Sequence, residues 1–348
     1  MSENFNKIPI DIEGLQILNI GDLQLESEHT LKDVQVGYHT FGQLNTKKDN
    51  VIWVCHALTA NSNVSDWWSG LFGAGKVLDP SKYFIVCANI LGSPYGSTNA
   101  RSTDPNSGQP YGLEMPLITI KAQVTAHAHI AQHLGIGAIQ YAIGGSCGGH
   151  QVLEMCLHSE LHVNNAILLV TSARETPWSI AIHEAQRMAL KADVTFENNS
   201  NDAGKNGLKA ARGMSMIAYR TIKQYNNQQE EKDDRWDDFK AASYIQYQGK
   251  KLADRFYAHC YYHLIKTLDT HNVGRGRGGV KAALKTMTTN CLIISVDSDL
   301  LIPVQEQTFL AQFIPANKHV VIESNYGHDG FLIEFDKINT IIKQAFAI

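Results

Sequence analysis

The sequence predicts an α/β protein: a mainly parallel sheet with helices on both faces and an inserted helical segment. Three observations point there. Short apolar, β-branched runs alternate with segments of helical periodicity over the first half of the chain. Two more strand-like runs appear only near the C-terminus. Between these regions lies a long polar stretch of helical character with no strand signal. Alternating strands and helices build a parallel sheet covered on both faces. An insertion in such a sheet is expected to cap its carboxyl edge, where open α/β sheets bind ligands.

The elements follow in order. Residues 15–42 read as short strands with turns, 34–39 among them. Residues 50–55 (NVIWVC) and 83–89 (YFIVCAN) are of buried-strand type. A loop rich in Gly, Ser, Asn and Pro covers about 91–112, and helical periodicity runs through 117–135. Residues 138–143 form a short apolar strand that enters a glycine-rich turn. A helix continues at 151–157, and 165–171 (NAILLVT) is a further strand. The chain is then helical and polar from about 172 to 285, with a charged, loop-like stretch at 228–238 (QQEEKDDRWDD). Strands resume at 291–296 (CLIISV) and 319–323 (HVVIE), and a helix closes the chain after Asp329. The predicted division is a core of residues 1–171 and 288–348 and a helical lid insertion of 172–287.

Composition excludes several classes. The net charge of −4 gives no electrostatic case for nucleic acid or an anionic membrane. No run approaches 18 apolar residues, so no membrane span is expected, and the N-terminus lacks the apolar core of a signal peptide. The six cysteines form no C-x-x-C pair and no tight Cys/His cluster. Neither a metal site nor a disulfide framework is expected, and a reducing cytoplasm is the simplest compartment.

The strongest chemical signal is Gly144-Gly145-Ser146-Cys147-Gly148-Gly149. It matches G-x-S-x-G between a strand and a helix, the nucleophile elbow of the α/β-hydrolase fold. The nucleophile sits on a sharp, strained turn, so the residues two before and two after it must be small; Gly144 and Gly148 fill those places. The motif also reads one residue later, centred on Cys147. That register puts His150 where the serine register has Gly149, and a bulky side chain there crowds helix against strand. Ser146 is the favoured nucleophile.

A hydroxyl needs a base, and the base needs an orienting carboxylate. This fold orders them Ser, acid, His along the chain. Asp299 follows the strand at 291–296, and His328 follows the strand at 319–323. Asp297 competes with Asp299 but lies nearer the strand, where a structural or capping role fits better. Most of the other 14 histidines are expected at the surface or in helices. The oxyanion hole should use two backbone N–H groups, one from Cys147 and one from His56-Ala57-Leu58-Thr59, with Leu58 the choice.

Together these segments resemble homoserine O-acetyltransferases. The resemblance covers most of the chain: Cys55-His56-Ala57-Leu58-Thr59, Asn89-Ile90-Leu91-Gly92, Gly96-Ser97-Thr98 and the elbow. Within the insertion it includes Pro177-Trp178-Ser179-Ile180-Ala181, Gln186-Arg187, Gly207-Leu208, Ala211-Arg212, Ser243-Tyr244, Tyr247-Gln248-Gly249-Lys250, Arg255-Phe256 and the 271–278 run. The insertion motifs are the more specific, because the elbow is shared by many esterases. The resemblance implies a ping-pong acyl transfer from acetyl-CoA, a co-substrate with no bound cofactor or metal, to homoserine for methionine synthesis. Ser146, Asp299 and His328 would be the triad. Arg212, Tyr219 and Asp329 would hold the amino acid, and a homodimer would form through the lid helices. The chemistry agrees: Arg212 can grip a carboxylate with two N–H bonds, Tyr219 lies two helical turns on, and Asp329 can pair with an α-ammonium.

Some positions depart from the family pattern. Lys121-Ala122 replaces its usual Arg-Asp, and Tyr257-Ala258-His259-Cys260 departs from its Asp-Ala-Asn-Ser. Cys147 and His150 stand where the family often has methionine or another apolar residue. The Ser93-Pro94-Tyr95 insert resembles the fungal branch. These departures leave the acceptor and acyl choice open: a serine O-acyltransferase and a succinyl-specific enzyme are the near alternatives, and an esterase is the alternative of another class. The Gly274–Gly278 run lacks the strand–helix context of a nucleotide loop and reads as a turn back to the core.

Overall fold

The computed structural model describes residues 8–346. Eight strands form one sheet: β1 (Gln16–Gln24), β2 (Thr30–Phe41), β3 (Val51–Cys55), β4 (Phe84–Ala88), β5 (Ile139–Gly145), β6 (Val163–Leu169), β7 (Asn290–Val296) and β8 (Asn317–Ile322). Their order is β1-β2-β4-β3-β5-β6-β7-β8. β2 runs antiparallel to both its neighbours, and every other pairing is parallel. The observed architecture is the α/β-hydrolase fold expected from the sequence.

The central strands are covered on both faces, which explains their unbroken apolar sequences. Every residue of β3 and of β4 is buried. Side chains alternate between two cores: Trp53 faces one, while Ile52 and Val54 face the other. At the amino edge, β1 and β2 are each a single long strand. The polar interruptions that read as turns between short strands are bulges around Gly21.

Register aligns the carboxyl ends of the central strands. Cys55 pairs with Gly144, Gly145 with Leu169, Leu169 with Ile294, and Val296 with Ile322. The loops that begin at His56, Ser146, Val170, Asp297 and Glu323 therefore leave the sheet at one edge.

Helices α1 (Val64–Trp67), α2 (Ile120–His133) and α3 (Cys147–Cys156) lie between the early strands. The Thr119 side chain caps α2, accepting from the Ala122 N–H. α3 begins four residues earlier than its apolar pattern suggested, because the glycines of the elbow are themselves helical. Between β6 and β7 the regular elements are all helices among the described residues: α4 (Pro177–Ala192), α5 (Lys205–Tyr219), α6 (Ile222–Gln229), α7 (Lys240–Ala253), α8 (Ala258–Asp269) and α9 (Val280–Lys285). The charged segment after Gln229 is irregular up to α7. Helix α10 (Val304–Phe313) links β7 to β8 and was not expected. His328 lies within a 3₁₀ turn, Gly327–Leu332, which precedes the closing helix α11 (Phe335–Phe346).

Candidate active site

Ser146 stands between β5 and α3 with φ 57° and ψ −125°, a conformation that costs a non-glycine residue about 1–3 kcal/mol. The surroundings impose it. Ser146 N–H donates to the Leu169 carbonyl, and the Ser146 carbonyl accepts from Gly149 N–H, His150 N–H and the Thr171 hydroxyl. The glycines allow the turn. A Cβ on Gly144 would lie 2.4 Å from Gly148 backbone, one on Gly148 2.2 Å from the Cys55 oxygen, and one on Gly149 2.5 Å from Thr171 Cβ. The last contact leaves no room for a side chain at position 149. Cys147 is buried, its thiol turned to the His56 carbonyl at 3.8 Å. Burial, with the Glu175 charge adding, pushes that thiol's pKa up to about 12, far from a thiolate.

His328 and Asp299 come together in the loops after β8 and β7. His328 Nδ1 donates to Asp299 Oδ2 at 2.7 Å, and both residues are only 3% exposed. The other carboxylate oxygen accepts from the Leu301 and Ile302 N–H groups. Asp297 is committed elsewhere, accepting from Ser324 N–H. Burial disfavours charge on the His328 ring, but Asp299 outweighs it, with Asp329 and Glu175 adding, so the pKa is raised above its ordinary 6.5. Phe331 joins the base loop to the elbow: its ring lies 5.8 Å from His328 and packs where a Gly145 Cβ would stand.

The Cys147 N–H belongs to the open first turn of α3, where the helix dipole is positive. Leu58 packs against Cys147 from the loop after β3. Arg212 and Tyr219 share one face of α5, with the guanidinium 5.7 Å from the Tyr219 ring centre. Tyr219 in turn lies 5.5 Å from the His328 ring, and burial raises its pKa. Asp329 already has a partner within the chain: Arg220 Nε is 2.6 Å from its Oδ2.

Several neighbours were not evident from sequence. Arg220 follows Tyr219 directly but declares itself only through Asp329, more than 100 positions away. The rival histidines are less superficial than expected: His39, His56 and His271 are buried outside helices. His39 and His56 meet backbone or hydroxyl groups through both ring nitrogens, and His271 meets the Ser172 carbonyl through Nε2. His150 stacks on His271 at 3.9 Å and reaches the Ser172 hydroxyl, which explains how an imidazole occupies an apolar position. His259 and Cys260 bond to the Phe196 carbonyl and to Asn99, and Lys121 pairs with Glu26.

The sheet and the strained serine define an α/β-hydrolase-fold protein, and the model of the alpha/beta hydrolase fold family matches residues 50–335. The homoserine O-acetyltransferase of Cyclobacterium marinum is 44% identical over 324 residues, covering 93% of this chain and 92% of that one. The chain belongs to the homoserine O-acetyltransferase family. Among solved structures, homoserine O-acetyltransferase from Bacillus anthracis superposes with a TM-score of 0.90 at 20% identity, covering 95% of this chain and 96% of that one. Esterase E22 gives 0.87, also at 20% identity, over 95% and 98%. At that identity both likenesses speak for the fold alone.

Proposed function

We propose that this protein moves an acetyl group from acetyl-CoA to the hydroxyl of L-homoserine through an acyl-Ser146 intermediate. The observation that carries the reading is the buried His328–Asp299 pair at the edge where Ser146 sits strained, with Arg212 and Tyr219 overhead. Asp299 holds Nδ1–H, leaving Nε2 to take the Ser146 proton as the hydroxyl attacks the thioester. The oxyanion forms against the N–H groups of Leu58 and Cys147. CoA leaves with the proton from His328. His328 then takes the homoserine hydroxyl proton, the oxygen attacks the acyl carbon, and Ser146 Oγ leaves with that proton from His328 as the ester forms.

Arg212 takes the homoserine carboxylate and Asp329 the ammonium, with Arg220 fixing the direction of the Asp329 carboxylate. The segment 172–287 acts as a lid that keeps water from the acyl-enzyme; the deep burial of the base supports this. A second copy docks on the lid helices, where Trp178, Ile217 and Ile222 are exposed. The six unpaired cysteines suit a reducing cytoplasm.

The second reading is hydrolysis of the acyl-enzyme, with water attacking in place of an amino acid; the engagement of Asp329 by Arg220 favours it. An acyl-transfer assay with acetyl-CoA and succinyl-CoA against homoserine, serine and water decides. The expected result is acetylhomoserine as main product. Acetate as main product with homoserine present would establish the esterase.

A further inference from the structure

We infer that His56 is a positioning residue that locks the peptide between Ala57 and Leu58 in the orientation the oxyanion hole requires. His56 follows β3 directly and is fully buried. Its Nε2 accepts a hydrogen bond from the Ile90 backbone N–H at 3.1 Å. Ile90 can only donate there, so Nε2 carries no proton. The other nitrogen, Nδ1, lies 2.8 Å from the Ala57 carbonyl oxygen, which can only accept. The neutral ring is therefore the Nδ1–H tautomer, donating to Ala57. Burial keeps it neutral, lowering its pKa to about 4 against the smaller, opposite effect of the Ala57 bond.

The consequence lies in the peptide unit. The Ala57 C=O and the Leu58 N–H belong to one planar trans amide and point in opposite directions. A donor that fixes the carbonyl fixes the N–H. The Ala60 N–H holds the same oxygen at 3.0 Å, so the turn and the imidazole together occupy both lone pairs. Rotation of this amide would withdraw the Leu58 N–H and present a carbonyl oxygen to the forming oxyanion. His56 opposes that rotation from the core side. The loop is also held beyond Leu58, where Arg255, between α7 and α8, donates to the Thr59 carbonyl at 2.6 Å. The His56 carbonyl receives Gln151 Nε2 at 3.3 Å and the Cys147 thiol, which fastens the loop to α3, the source of the second oxyanion donor.

This inference rests on the Leu58 amide serving the oxyanion hole, and the two contacts of the ring can be tested apart. In His56→Asn the side-chain amide nitrogen stands near Nδ1 and can still donate to Ala57, while the acceptor for Ile90 is lost. In His56→Gln the amide oxygen reaches the Nε2 position and can accept from Ile90, while the donor to Ala57 is lost. Both variants and the parent are assayed with p-nitrophenyl acetate and with acetyl-CoA plus homoserine, each rate expressed per Ser146 site titrated by the acyl burst. His56→Gln is expected to lose about 100-fold in kcat for acylation and for transfer, the scale of one oxyanion donor, with the homoserine KM unchanged. His56→Asn is expected to stay within about tenfold of the parent on that same scale. Three results would overturn the inference: His56→Gln at parental rate, His56→Asn as slow as His56→Gln, or a loss confined to KM. Since p-nitrophenyl acetate needs no amino-acid acceptor, a parent that fails with homoserine would refute the transferase reading and leave this comparison intact.

Discussion

Burial alone would make the His328 ring hard to protonate; the Asp299 carboxylate 2.7 Å away reverses that, and the raised pKa has a definite sign in the kinetics. The base works only when neutral. Acyl transfer should fall as pH drops through the raised value, with the acid limb of kcat/KM above 6.5, the ordinary imidazole value. Asp299→Asn should move that limb down and cut kcat by about 10⁴-fold, since the ring then loses its tautomer as well as its counter-charge. A limb that stays in place would detach Asp299 from the base. Arg212 is tested by separating the half-reactions. CoA release without acceptor should survive Arg212→Ala, while the homoserine requirement should rise by the worth of a charge-assisted contact, on the order of 1.5–3 kcal/mol. If CoA release fails equally, Arg212 contacts the donor or serves structure instead. At this scale the sequence was legible wherever chain order constrains chemistry. Asp299 and His328 follow successive late strands, so their loops must meet at one sheet edge. Arg220 and the His56 side chain were not legible, because the groups they hold are chosen by tertiary approach and backbone direction, which spacing does not record.

Among the elements, the elbow shows how steric room dictates residue type. Gly148 and Gly137 both have ordinary φ values, yet a Cβ on Gly148 would meet the Cys55 oxygen at 2.2 Å and one on Gly137 only ordinary contacts from 3.4 Å. Gly148→Ala should therefore cost about 1–3 kcal/mol in urea unfolding, while Gly137→Ala should be close to neutral. Equal effects would remove the steric demand for glycine two residues after Ser146. The strands of the parallel core were legible to within two residues at each end, since burial on both faces leaves a continuous apolar signature. α10 was not, because VQEQTFLAQF buries only Gln307 and Leu310 and so carries little amphipathic pattern. The start of α3 was misplaced because glycines carry no amphipathic signal.

The fold of the whole chain followed from the place where strands stop and resume, which puts six helices between β6 and β7. What those helices cover could not be read from pattern, because an apolar residue on a helix can face the core, the site or another molecule. The structure separates these cases. Trp178 and Ile182 on α4, Met214 and Ile217 on α5, Ile222 on α6, and Leu300 line an external groove of about 630 Å³. Ile217 is 64% exposed and Ile222 74%, more than a polar-faced helix leaves uncovered without a partner. Trp178 Nε1 is bonded to the Leu300 carbonyl, so the groove floor is held rather than loose. A second copy covering this face would give a dimer, and Ile217→Asp, which buries a charge at that contact, should yield monomers by sedimentation equilibrium. Arg220 lines the same groove and holds Asp329 beside the base. The monomeric variant should therefore show a raised homoserine KM while CoA release without acceptor continues. An Ile217→Asp protein that remains dimeric would place the interface elsewhere. A monomer with unchanged homoserine KM would separate the Arg220–Asp329 pair from assembly.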